Sequence, residues 1–143
     1  MISSFVSPLF LFTTIAKLKT PPFYYSVFHN QSVTEEYIDR PIVNAGYQIG
    51  SIVTENIADK DMKYRRYAIG GLEKLKYKPA IPTLIKILLD RTELVVFRAD
   101  AFQALRKFDT EETRKTISDF RSQASDSLDR KVIEYADSWE KDK

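Results

Sequence analysis

Arg65-Arg66-Tyr67-Ala68-Ile69-Gly70-Gly71-Leu72-Glu73-Lys74-Leu75 returns in altered form as Arg98-Ala99-Asp100-Ala101-Phe102-Gln103-Ala104-Leu105-Arg106-Lys107-Phe108, 33 residues later. At that offset Arg65 falls on Arg98, Ala68 on Ala101, Gly71 on Ala104, Leu72 on Leu105, Lys74 on Lys107 and Leu75 on Phe108. The segments that follow agree as well, Leu84 lying over Ile117 and Ile87 over Phe120. A third, decayed copy opens at Arg130, with Ile133 at the Ala position, Ala136 at the small position and Asp137 where a Leu stood before. An internal period of this length marks a repeat architecture. Its small residues have a physical purpose, since neighbouring helix pairs stack closely only where the side chains between them are short.

Outward from this pair, apolar residues keep helical spacing. Ile42, Ala45, Gly46, Ile49, Ile52, Val53 and Ile57 form one stripe on a helix of about four to five turns, with Asp39 as cap and Pro41 in its first turn. A second helix spans roughly 62–77 and buries Met62, Ala68, Ile69, Leu72 and Leu75. Pro79 and Pro82 open a third, carrying Ile81, Leu84, Ile85 and Leu88, and a fourth runs over about 94–108. Asp109 and Glu112 make a capping box for a fifth, which carries Ile117 and Phe120, and a sixth runs from near Asp126 to about Trp139. No segment alternates with period two long enough to be a strand. The fold class is all-α, and the repeat makes it a short right-handed α-solenoid of antiparallel helix pairs.

Composition narrows the chemistry. The chain has 143 residues, 43% hydrophobic and 29% charged, with 22 Lys plus Arg against 20 Asp plus Glu. That is enough for one core and too short for two of ordinary size. There is no cysteine, which excludes disulfides, zinc–thiolate sites, Fe–S clusters and thiol nucleophiles. One histidine, His29, cannot build a metal site alone, and 4 glycines in no GxGxxG or P-loop pattern leave nothing to cradle a phosphate. No catalytic residue, metal or cofactor is expected.

Residues 1–30 form a separate apolar segment, and residues 31–143 the repeat domain. Residues 1–16 carry no charge, and the run stops at Lys17 and Lys19, short of the roughly 20 residues a membrane span needs. Ser7 and Pro8 suit a helix start and Pro21-Pro22 its end, so the segment reads as a capping helix, or else a degenerate targeting segment. The compartment expected is the cytoplasm, with export or organellar delivery through residues 1–30 as the alternative.

The pattern Arg65-x-x-Ala68-x-x-Gly71-Leu72, Ala80-Ile81-Pro82-x-Leu84, Leu88-Leu89-Asp90 and Arg98-x-x-Ala101-x-x-Ala104-Leu105 resembles the HEAT-like repeat of the phycobilisome-lyase family. Members of that family assist the attachment, isomerisation or removal of bilins on phycobiliproteins, often as half of a heterodimer, and others are scaffolds. The resemblance implies a protein-binding scaffold whose partner is a phycobiliprotein or a second HEAT-like subunit, with a bilin as a handled ligand. A lyase subunit with its own catalytic role is the alternative, and nucleic-acid binding comes third. The exposed face of the second helices, with Thr83, Lys86, Asp90, Lys115 and Asp119, would be the working surface. The resemblance also assigns Arg65, Ala68, Leu72, Arg98, Ala101 and Leu105 to the repeat framework. Each arginine is to pair with an acid near the turn between helices, Asp59 or Asp61 for Arg65 and Asp90 for Arg98.

The remaining features have plainer readings. Lys60, Lys63, Arg65, Arg66, Lys74, Lys76 and Lys78 interleave with Tyr64, Tyr67 and Tyr77, a composition that nucleic-acid surfaces share. The charges spread around the helix and the whole chain is only +2, so a solvated face is the better account. Phe23-Tyr24-Tyr25-Ser26-Val27-Phe28 and Trp139 read as caps on the open ends of the array, and His29 as a packing or surface residue. Glu35-Glu36 and Glu111-Glu112 belong to helix starts, because adjacent residues on a helix diverge by about 100° and cannot share a substrate.

Overall fold

The computed structural model describes residues 46–62 and 65–141. The apolar segment 1–30, His29, Glu35-Glu36 and the cap expected at Asp39 lie outside them. Every regular element among the described residues is helical: α1 (Gly50–Ile57), α2 (Arg65–Lys74), α3 (Ile81–Leu89), α4 (Val95–Phe108), α5 (Glu111–Gln123) and α6 (Ser127–Lys141), with 3-10 turns at Tyr47–Ile49 and Lys78–Ala80.

The fourth helix is the hub. It packs against α2, α3, α5 and α6, while α1 packs on α2. Its sequence accounts for this. Arg98, Ala99, Ala101, Phe102, Ala104, Leu105 and Phe108 are all buried, a stripe too wide for a helix with one neighbour, and three of the seven are alanines. Helices α5 and α6 are one-sided by contrast, burying only Thr113 and Phe120, and only Val132 and Ala136. The small and leucine positions of the two copies share their burial: Ala68 and Ala101 are both 0% exposed, as are Leu72 and Leu105, whereas Leu84 is fully buried and its counterpart Ile117 only partly.

The helix ends repeat too. Lys76 and Asp109, again 33 apart, are the only non-glycine residues at positive φ among those described, at 53° and 52°. After α2, the Lys76 amide donates to Glu73 O and the Tyr77 amide to Leu72 O, a Schellman closure with lysine where glycine is usual. Left-handed backbone costs a side chain roughly 1–2 kcal/mol, so tertiary contacts hold these turns in place. For Lys76 those contacts are visible: its Nζ donates to Glu73 Oε1 and to Lys107 O.

Three expectations need correction. The long helix through Gly46 does not form: Gly46 sits at φ 83° before a 3-10 turn, so the α-helix begins at Gly50. The cap of α5 is Thr110, whose hydroxyl accepts from the Thr113 amide while Thr113 Oγ1 accepts from the Thr110 amide, in place of Asp109 and Glu112. Asp109 is already committed to the left-handed turn that ends α4. The third copy keeps Ala136 fully buried and Ile133 against the core, but Arg130 is exposed and its guanidinium donates to Ser125 O rather than to an acid among the described residues. Asp137, the residue that replaces Leu, accepts from Arg106 of α4 and Arg121 of α5. The substitution turns an oily contact into an ionic one.

Two glycines give a paired test. A Cβ at Gly50 would meet the Tyr77 ring at 2.3 Å, whereas a Cβ at Gly70 meets nothing within 4 Å. Gly50→Ala is expected to destabilise by about 1–3 kcal/mol through overpacking. Gly70→Ala is expected to stabilise by about 0.5–1 kcal/mol through helix propensity. Thermal melts of the two variants should therefore move in opposite directions.

Candidate functional site

The most distinctive chemistry in the fold is a pair of buried arginines. Arg65 is 1% exposed and Arg98 2%. A guanidinium keeps its charge at any ordinary pH and has five donors to satisfy, so burial demands partners. Arg65 Nε donates to Ile57 O at 2.5 Å, and Arg98 Nε to Leu88 O at 2.8 Å. Those carbonyls belong to the last turns of α1 and α3, where helical carbonyls lack a partner in their own helix. The other arm of each fork reaches forward. Arg65 Nη1 donates to Glu93 Oε2 and Arg98 Nη2 to Asp129 Oδ1, both at 2.6 Å. Arg65 also lies 5.2 Å from the Phe97 ring centre and Arg98 5.7 Å from that of Phe120. Each arginine thus ties the end of the helix before it to an acid two helices further on, Glu93 just ahead of α4 for Arg65 and Asp129 in the first turn of α6 for Arg98.

The partners differ from those expected. Asp59, Asp61 and Asp90 do not serve the arginines; Glu93 and Asp129 do. The fork uses a main-chain carbonyl for the preceding helix end and keeps its ionic contact for the start of the second helix onward. Asp90 instead accepts from the Thr92 hydroxyl and amide and pairs with Lys60 at 2.9 Å. The Thr92 hydroxyl foremost, then Lys60, hold its carboxyl far below the usual carboxylate range. Arg91 reaches across to Asp126 and Asp129. Backbone amides and Arg91 keep the Asp126 carboxyl low as well. Lys60, Asp90, Arg91 and Asp126 therefore link the segment before α2, the one between α3 and α4, and the one before α6. Only Glu93 had a sequence signal, as an acid in a short turn. The forward reach to Asp129 had none.

Of the five expected surface residues, Thr83, Lys86 and Asp90 come together around a hollow of about 250 Å³ floored by Arg65 and Glu93. Lys115 borders a separate open hollow with Lys78 and Thr110, and Asp119 lines a third, of about 390 Å³, with Leu89, Arg91 and Phe120. Lys115 and Asp119 pair with each other at 2.7 Å across one helical turn. The hydrogen bond to Asp119 raises the Lys115 ammonium above its ordinary value. The five residues border adjacent hollows and do not converge on one point. No three His, Cys, Asp or Glu side chains among the described residues are grouped to hold a metal ion. No helix there is long and apolar enough to cross a membrane. Of the basic stretch 60–78, Lys60, Arg65, Arg66 and Lys76 are engaged by Asp90, Glu93, Asp100 and Glu73. Comparison with protein-family models, curated proteins and solved structures finds no match for the chain.

The buried pairs make graded predictions. Arg65→Ala leaves the Glu93 carboxylate buried without a counter-charge and should destabilise by about 3–5 kcal/mol. Arg98→Ala should cost less, because Asp129 is 15% exposed and keeps Arg91. Replacing Arg65 and Glu93 together by Met and Leu should restore most of what Arg65→Ala loses. Denaturant unfolding of the three variants would reveal the order, and equal losses would refute the assignment.

Proposed function

We propose that this chain is a short right-handed α-solenoid of HEAT-like repeats and that it acts as a non-catalytic scaffold for a protein partner. On the family resemblance, that partner is a phycobiliprotein undergoing bilin attachment or turnover. The observation that supports the reading best is the matched environment of Arg65 and Arg98. Each binds the carbonyl end of the preceding helix and an acid at the start of the second helix onward. Such ties make successive units act as one stiff body, and a stiff extended surface is what repeat scaffolds offer a partner. The face with Thr83, Lys86, Asp90, Lys115 and Asp119 provides shallow hollows between exposed charges. Such a surface suits a polar, partly apolar protein patch better than an engulfed small substrate.

Binding of the full chain to an isolated apo-phycobiliprotein subunit, followed by calorimetry, tests the proposal. A 1:1 complex is expected, weakened about tenfold per substitution, or roughly 1.4 kcal/mol, by Lys86→Glu and by Lys115→Glu. Absence of a complex, or one indifferent to both substitutions, would rule the reading out.

A further inference from the structure

Among the described residues, Asp100 is a largely buried acid that the ties of Arg65 and Arg98 do not use, and unlike Glu73, which pairs with Lys76, it has one oxygen left over. It lies on α4 with a side chain 9% exposed, and Arg66 Nε of α2 donates to its Oδ1 at 3.2 Å. Its other oxygen, Oδ2, is buried and accepts no hydrogen bond from the described residues. The same Arg66 guanidinium lies 4.8 Å from the ring centre of Trp139 on α6. One cation therefore touches α2, α4 and α6, and its ionic partner is poorly solvated and half satisfied.

We propose that Asp100 is a proton-operated latch: ionised, it holds Arg66 against α4 and Trp139; protonated, it frees Arg66 and changes the packing of α6. Desolvation pushes the Asp100 carboxyl up to about 7, against the opposing pull of Arg66. Among the described residues, the charges on neighbouring elements are engaged elsewhere or border other hollows. From α6, Glu140 is engaged by Gln103 and Arg106 of α4, and Asp137 by Arg106 and Arg121. On α5, Arg121 goes to Asp137, Arg114 to Asp109 and Lys115 to Asp119, while Glu111 and Glu112 border the hollow by Lys78. Lys86 of α3 borders the hollow beside Asp90, and Glu73 of α2 pairs with Lys76.

The sign follows from linkage. A carboxyl raised from 3.8 to about 7 binds its proton more tightly in the folded chain than in the unfolded one. Its contribution to stability is complete below the unfolded value, declines as pH rises between the two, and is lost above about 7. Asp100→Asn keeps an acceptor for Arg66 without the charge. Its melting temperature should exceed that of the wild type at pH 8, by a margin that shrinks as pH falls below about 7 and closes only below the unfolded value of 3.8.

Trp139 is the only tryptophan and His29 the only histidine, so one optical probe and one control suffice. Tryptophan emission of the full chain should titrate as a single proton with a midpoint near 7. The titration should vanish in Asp100→Asn and persist in His29→Gln. Carboxyl 13C shifts of the wild-type chain supply a reading that needs no variant, with Asp100 titrating near 7. Emission flat between pH 5.5 and 8.5, a titration that survives Asp100→Asn or is lost in His29→Gln, or an Asp100 midpoint near 4 would each overturn the latch.

Discussion

A guanidinium cannot escape burial by giving up its proton, and two of them sit in the core of this protein. A buried Asp or Lys can neutralise itself when its surroundings fail it; Arg65 and Arg98 have no such exit. Every position of those side chains therefore has to be supplied with acceptors, and the acceptors come from elsewhere in the chain. Carbonyls at the ends of α1 and α3 provide one, and carboxylates of Glu93 and Asp129 the other. Helix ends have spare carbonyls, so the demand of the arginines and the surplus of the helices are met together. The spacing between successive helices follows from that match.

Around this framework the packing is graded by neighbours. The central α4 touches four helices and can do so because Ala99, Ala101 and Ala104 let them approach. At the edges, oily burial gives way to ionic contact. Asp137 replaces the leucine of the earlier copies and joins Arg106 to Arg121, and Trp139 meets the repeat through the Arg66 cation. The last helix thus adds ionic contacts at its edge to the burial of Val132 and Ala136. That gives it the pH sensitivity an apolar contact lacks.

Much of this could be read from the chain. Period and apolar spacing identify α2 through α6 and the matched cores at Ala68/Ala101 and Leu72/Leu105, because burial of a helical face is a local pattern repeated in sequence. Caps were harder. Thr110 and Asp109 compete for one helix start, and the choice depends on Asp109 being needed in the left-handed turn that closes α4. The turn at Lys76 was hidden for a related reason, since no glycine announces it.

Of the surface residues Thr83, Lys86, Asp90, Lys115 and Asp119, the structure leaves only Lys86 and Lys115 exposed and half-buries the other three; their division among three hollows is not legible in sequence, because it depends on how α3 and α5 face each other. Sequence alone determines the helical class and the internal similarity at 33 residues, since these rest on side-chain type and spacing, whereas the burial of Arg65 within a basic stretch that reads as a solvated face does not follow from them. Tertiary structure decides which acid answers which arginine and which carboxyl is left half satisfied. Those outcomes depend on distances between residues some 30 positions apart, as for Arg65–Glu93, Arg98–Asp129 and Arg66–Asp100, and local pattern carries no information about them.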